Sequence, residues 1–234
     1  MSRPRSALAR LVLPCLLLLA MLLGLLLFWP AAQWLPRVLP DDMRVQGVEG
    51  SLYAGTAERL YWRNQPIGPW AWQLRANGVL DVRLGRAGEG DWQARLSGWP
   101  WRWRAVVTGG DLQWMQGGEL GLLQARFGGD MQLKGDRSGC QSSSGALQAD
   151  EASWAFPPVA FGSAEFSLDC GAELPVRLRL QRPGQHELLF ELDPGESRGH
   201  VRGDLVPGGA SARLAQDFGV LSRNQRQVDQ PMSW

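Results

Sequence analysis

Few residues in this 234-residue chain have types and spacing that catalysis can use. Gly195-Glu196-Ser197-Arg198-Gly199 has the spacing of a hydrolase nucleophile elbow, with His200 directly after it. Such an elbow needs a strand before the serine and a helix after it, with the acid and then the histidine later in the chain. Here the turn- and strand-like HVRGDLVPGG follows, and His200 is only three residues from Ser197. The stretch reads as a tight turn. His186 and His200 are the only histidines, and neither stands in a ligand-spaced cluster. Asp41-Asp42 is a local, solvated pair. No catalytic, metal or cofactor set is expected, and the protein is not expected to be an enzyme.

Two further sets carry other chemistry. Cys140 and Cys170 form an even pair outside the apolar N-terminal run, and an oxidising compartment joins such pairs. A disulfide is expected there. Trp99, Trp101 and Trp103 alternate with Arg102 and Arg104, so one strand face would carry an aromatic ladder. That ladder either lines an apolar groove for a lipid, sugar or peptide, or packs as core against Trp70 and Trp72. Aromatic–arginine interleaving also occurs in single-strand nucleic-acid binders, but the compartment argued next excludes that partner.

The elements that position these residues begin with a membrane segment. Residues 11–29, LVLPCLLLLAMLLGLLLFW, carry no charge. Nineteen residues at about 1.5 Å each span roughly 28 Å, close to a bilayer's hydrocarbon thickness. Arg3, Arg5 and Arg10 precede the run without an acid, which keeps that end in the cytoplasm and exports the rest. The run exceeds a signal peptide's apolar region, and Pro30-Ala31-Ala32 is a poor cleavage site, so a retained inner-membrane anchor is expected. Cys15 follows Pro14, where a lipoprotein signal needs a small residue, and reads as a helix thiol. Without the three N-terminal arginines, 21 basic residues face 23 acidic ones, and no patch for anionic lipid or nucleic acid is evident.

Beyond the anchor, the proline-bearing 30–42 reads as a stiff linker or a single turn at the membrane surface. Alternation follows. Trp70, Trp72 and Leu74 share a face, as do Leu80, Val82 and Leu84; Trp92, Ala94 and Leu96; and Val176, Leu178 and Leu180. Period two means half-buried strands. Asn77-Gly78, Gly88-Glu89-Gly90, Gly109-Gly110, Gly117-Gly118 and Gly128-Gly129 separate them at hairpin spacing. Recurrent Gly-Asp/Glu-Leu/Met triplets, as at 110–112, 118–120, 129–131 and 203–205, mark strands beginning after turns. The expected fold is mainly β: one antiparallel sheet domain over 43–222, curved and open or sandwich-like. Leu214, Phe218 and Leu221 have helical spacing, for a short helix at about residues 210–222. The polar 223–234 reads as a flexible tail.

The segment VEGSLYAGTA at 48–57 carries a resemblance. Its Val48, Gly50, Leu52, Tyr53, Gly55 and Ala57, placed after an anchor and a proline-bearing spacer, resemble the motif of the type II secretion system protein N (general secretion pathway protein N) family. Ser51 and Tyr53 stand where the family has threonine and tryptophan. Read as one strand, Val48, Gly50, Leu52 and Ala54 share a face, and the glycines admit a close backbone or a covering ring. The resemblance implies a non-catalytic accessory subunit of the machine that exports folded proteins across the outer membrane. Its implied partners are other inner-membrane components of that machine. The alternative is a periplasmic β-groove protein that handles lipid, of the lipopolysaccharide-transport or AsmA-like type, with a lipid ligand.

Overall fold

Alternating apolar and polar side chains become antiparallel strands, and the protein is mainly β, as its sequence predicts. The structure, a computed structural model, describes residues 14, 16–19, 21–22, 24–25, 28–62, 65–85, 91–99, 101–115, 122–154, 158–172, 175–217 and 225–233. The chain divides into two compact units, 1–85 and 86–234, where the sequence predicts one β domain. Each unit has its own apolar cluster, and the two clusters share no residue.

In the first unit, the described residues of 14–25 are helical. Among the described residues no helix is long and apolar enough to cross a membrane; the expected span over 11–29 lies partly outside them. The expected cytoplasmic end, 1–10, lies wholly outside. The 30–42 segment, expected as a stiff linker or a single turn, is largely helical. It holds helix α1, Ala31–Val38, with Pro30 just before it and Pro36 inside. Ala31 and Leu35, one turn apart, are buried against Trp72, and that apolar pair outweighs the interior proline. Strands β1 (Met43–Gly50), β2 (Ala54–Trp62), β3 (Gln65–Leu74) and β4 (Leu80–Leu84) follow as an antiparallel meander. Asn77-Gly78 makes the β3–β4 turn, with the Gly78 amide donating to the Arg75 carbonyl at 2.9 Å.

The second unit holds β5 (Trp92–Trp99), β6 (Arg102–Thr108), β7 (Asp111–Met115), β8 (Leu122–Arg126), β9 (Asp130–Asp136), β10 (Gly139–Ser144), β11 (Leu147–Trp154), β12 (Val159–Leu168), β13 (Val176–Arg182), β14 (His186–Asp193), β15 (Arg198–Leu205), helix α2 (Ala210–Asp217) and β16 (Gln227–Ser233). One ladder runs β5-β6-β9-β10; the other runs β16-β15-β14-β13-β12-β11-β8-β7. Gly109-Gly110 and Gly128-Gly129 are not hairpin turns but the points where the chain passes between ladders. A Cβ on Gly109 would lie 2.6 Å from the Phe127 carbonyl carbon, so the crossing strands nearly touch. The 88–90 and 117–118 glycines lie outside the described residues. Asp111 and Asp130 open strands as their triplets predict, whereas the 203–205 triplet ends β15.

Among the described residues Leu147 and Met131 are the largest fully buried side chains, and Trp92, Val107 and Leu133 pack against the same cluster. Residues of both ladders thus share one interior, as in a sandwich. Cys140 and Cys170 are disulfide-bonded, with Cα atoms 5.4 Å apart, tying β10 to the loop after β12. Helix α2 buries Ala212 and Leu214; Phe218 and Leu221 lie outside the described residues. The expected tail is instead edge strand β16, paired with β15 from Arg198↔Ser233 to Asp204↔Gln227. Val228 buries its side chain there, and Pro231 suits an edge, where a missing N–H costs no ladder bond.

Candidate functional site

The 48–57 segment is a hairpin rather than one strand. Val48 and Gly50 end β1, residues 51–53 turn, and β2 begins at Ala54. Gly50 has φ +97°, which a side chain rarely adopts, and it pairs with Gly55. Gly55 also faces Trp72 across β2–β3, and a Cβ on Gly55 would strike the indole. The Trp72 Nε1–H donates to the Ser51 carbonyl at 3.0 Å, so one ring covers the glycine and closes the turn. Ala57 is buried; Leu52 and Tyr53 are exposed at the tip. Ser51 also bridges Pro30, which holds the tip beside the end of the apolar N-terminal stretch.

The five tryptophans expected as one core or groove fall in two units. Trp70 and Trp72 belong to the first unit, with ring centroids 5.2 Å apart. Trp99, Trp101 and Trp103 belong to the second, and they do not share a strand face. Trp99 pairs with Arg102 and Gly98 with Trp103, so the two strands fold back on each other as a hairpin. Trp103 is half-buried and repeats the Trp72 arrangement. It faces Gly135 across β6–β9, covers it, and donates its Nε1–H to the Asp136 carbonyl at 2.9 Å. Trp99 and Trp101 are not buried as core in the described structure, and Trp101 lines a cleft. They are 67 % and 55 % exposed and stacked, with centroids 5.3 Å apart and planes 7° from parallel. Trp101→Ala is therefore expected to change stability by no more than about 0.5 kcal/mol. Urea denaturation checks this; a core role would cost about 3–5 kcal/mol.

Strand pairing builds a basic patch beside these indoles that charge counting along the chain missed. Arg104 of β6 stands opposite Lys134 of β9, both exposed, and Arg102 lies nearby. The Arg137 guanidinium is 5.7 Å from the Trp101 ring centre. Among the described residues there, the one carboxylate, Asp136, accepts from the Ser138 amide at 2.8 Å and hydroxyl at 2.6 Å. Those bonds, the hydroxyl first, hold its carboxyl below the usual range. A cleft of about 580 Å³ opens here, lined by Trp101, Arg102, Trp103, Arg104, Lys134 and Gln141 among others. Spacing of about 30 residues between the two clusters hid the patch; only the β6–β9 register creates it.

The serine motif lies in the β14–β15 turn. The Asp193 carboxylate accepts from the Gly195 and Glu196 amides at 2.8 and 3.2 Å, and strand β15 follows where an elbow needs a helix. His200 pairs instead with Asp229 of β16. His186 and Ser211 form a pair the sequence did not suggest, 6 % and 4 % exposed. The His186 Nε2–H donates to the Phe161 carbonyl at 3.0 Å, which leaves Nδ1 to accept from the Ser211 hydroxyl at 2.9 Å. The pair pins α2 to the sheet. Burial pushes the imidazole below its ordinary value, and the Phe161 carbonyl opposes this. The unfolded chain therefore takes up the proton first. Stability from this site is expected in full above about pH 6.5 and falls as pH drops toward the lowered folded value. Urea midpoints across that window should slope for the wild type and flatten for His186→Gln.

Among the described residues, no group of three or more His, Cys, Asp or Glu side chains is placed to hold a metal ion. No family model, curated protein or solved structure matches this chain.

Proposed function

We propose that this protein is an accessory, non-catalytic inner-membrane subunit of the type II protein secretion machinery, acting through protein–protein assembly. The observation that carries the reading is the 48–57 hairpin. Two of the motif residues that resemble the secretion protein N family, Gly50 and Gly55, shape the turn. Gly50 supplies the positive φ, Gly55 the close approach, and Ser51 the carbonyl that Trp72 holds. The hairpin is bridged through Pro30 to an apolar helical stretch whose described leucines are exposed; Leu17 is 64 % exposed. A bilayer satisfies that surface, and the three N-terminal arginines orient it with the β units in the periplasm. The Cys140–Cys170 bond accords with that oxidising compartment. The interior of the second unit, where a lipid-handling protein would lodge an acyl chain, is filled by Leu147 and Met131.

The test is co-expression of the full chain with the inner-membrane secretion subunits, followed by purification in mild detergent. A stable complex with defined composition is expected. A chain that purifies alone with one tightly held acyl lipid per molecule would replace this reading with lipid handling.

A further inference from the structure

We infer that the β5–β6 hairpin tip is a contact site for an anionic phospholipid surface, with the indoles entering the headgroup boundary and a lipid phosphate seated in the adjoining cleft. The inference goes beyond the secretion role and stands without it. Three observations meet at one place. First, Trp99 and Trp101 are stacked and exposed at a tip where only residues 100 and 101 separate paired Trp99 from Arg102. Indoles partition to membrane–water boundaries because one edge is polar and the body apolar. Second, Arg104 and Lys134 are direct cross-strand neighbours, an arrangement that like charges disfavour. Among the described residues neither has an ion pair, and the nearby Asp136 carboxylate is engaged by Ser138. An external anion removes that repulsion. Third, the cleft beside the indoles has a cationic rim of Arg102, Arg104 and Lys134, and the carboxylate in its lining, Asp136, already accepts from Ser138 and from the Gln141 side-chain amide. A phosphodiester presents the acceptors such a rim needs.

A lipid surface fits better than an acidic protein segment. The apolar groups Trp99 and Trp101 are exposed at the hairpin end rather than sunk as anchors. The cleft beside them joins the cations of Arg102, Arg104 and Lys134 to apolar surface from Trp101 and Trp103, the mixed character of a phospholipid headgroup boundary. Each cation held near an anionic leaflet contributes about a fivefold gain in membrane affinity.

The experiment uses the full chain with Cys15→Ser, reconstituted into phosphatidylcholine vesicles with and without phosphatidylglycerol. An environment-sensitive fluorophore is attached at Trp99→Cys, and its burial is read by emission shift and by quenching from doxyl lipids. Burial is expected with phosphatidylglycerol. Arg104→Gln with Lys134→Gln should weaken it at least about tenfold, and Arg104→Glu with Lys134→Glu should abolish it. A native Cys140–Cys170 bond and an unchanged urea midpoint establish that each variant is folded. A fluorophore that stays in water in both vesicle types overturns the inference. So does burial that ignores phosphatidylglycerol and both charge variants, or burial that occurs only when an acidic protein partner is added. Loss of the secretion complex leaves this readout untouched, so the two ideas fail separately.

Discussion

Trp72→Ala is expected to destabilise the first unit by about 3–5 kcal/mol, the range for emptying a buried aromatic site. Trp72 is 5 % exposed and does three things at once. It packs edge-on to Trp34 of α1 at 6.5 Å, it lies over Gly55, and it closes the 51–53 turn through the Ser51 carbonyl. Alanine leaves a cavity under α1 and an uncovered glycine pair in the sheet. Trp72→Phe keeps a ring but loses the N–H donor, so it should cost less than alanine, with about 1 kcal/mol from the lost hydrogen bond. Hydrogen exchange of β1–β4 amides in the full chain reads both. An alanine variant whose β1–β4 protection is unchanged would mean that the indole does not hold the hairpin.

Removing the disulfide is the second large effect. Cys140→Ser with Cys170→Ser opens a loop with a sequence separation of 30 residues. The chain-entropy account gives a loss of about 3–4 kcal/mol for that length. The bond is placed where it matters most. β10 is the edge of its ladder, and the loop after β12 belongs to the other ladder. The Ser143 hydroxyl donates to the Leu168 carbonyl at 2.5 Å alongside it. Without the bond, β9 and β10 should gain exchange first, while β13–β15 keep most of their protection. Urea midpoints measured with and without reductant check the size. A shift worth less than about 0.5 kcal/mol would show that the layers hold together without the staple.

Much of this was legible in the sequence, for physical reasons. Period-two runs such as Val176-Leu178-Leu180 announce strands because side chains alternate across a sheet. The cysteines announced their bond by number and compartment. What stayed hidden depends on contacts remote in sequence. The 48–57 segment reads as one strand until Gly50 and Gly55 are seen paired across a turn. Trp99 and Trp101 look like core until β6 turns back beside β5 and leaves them at the tip. The basic patch needs the β6–β9 register, and two intervening strands separate those partners in the chain. α1 was masked by its prolines, although Ala31 and Leu35 carried a helical apolar pair. β16 was masked by its polarity, since an edge strand buries little beyond Val228. The His186–Ser211 pair joins β14 to α2, and neither residue has a motif around it.

The most direct test of the proposed role is made in the cells that encode the chain. A photo-reactive residue at Leu52, exposed on the hairpin tip, is introduced into the full-length protein, and secretion of a type II substrate is followed in the same cells. The account predicts a discrete crosslink to an inner-membrane secretion subunit. It also predicts that deleting the gene leaves folded substrate in the periplasm until wild-type protein is restored. Undiminished secretion in the deletion strain, with Leu52 crosslinking only to lipid, would contradict it.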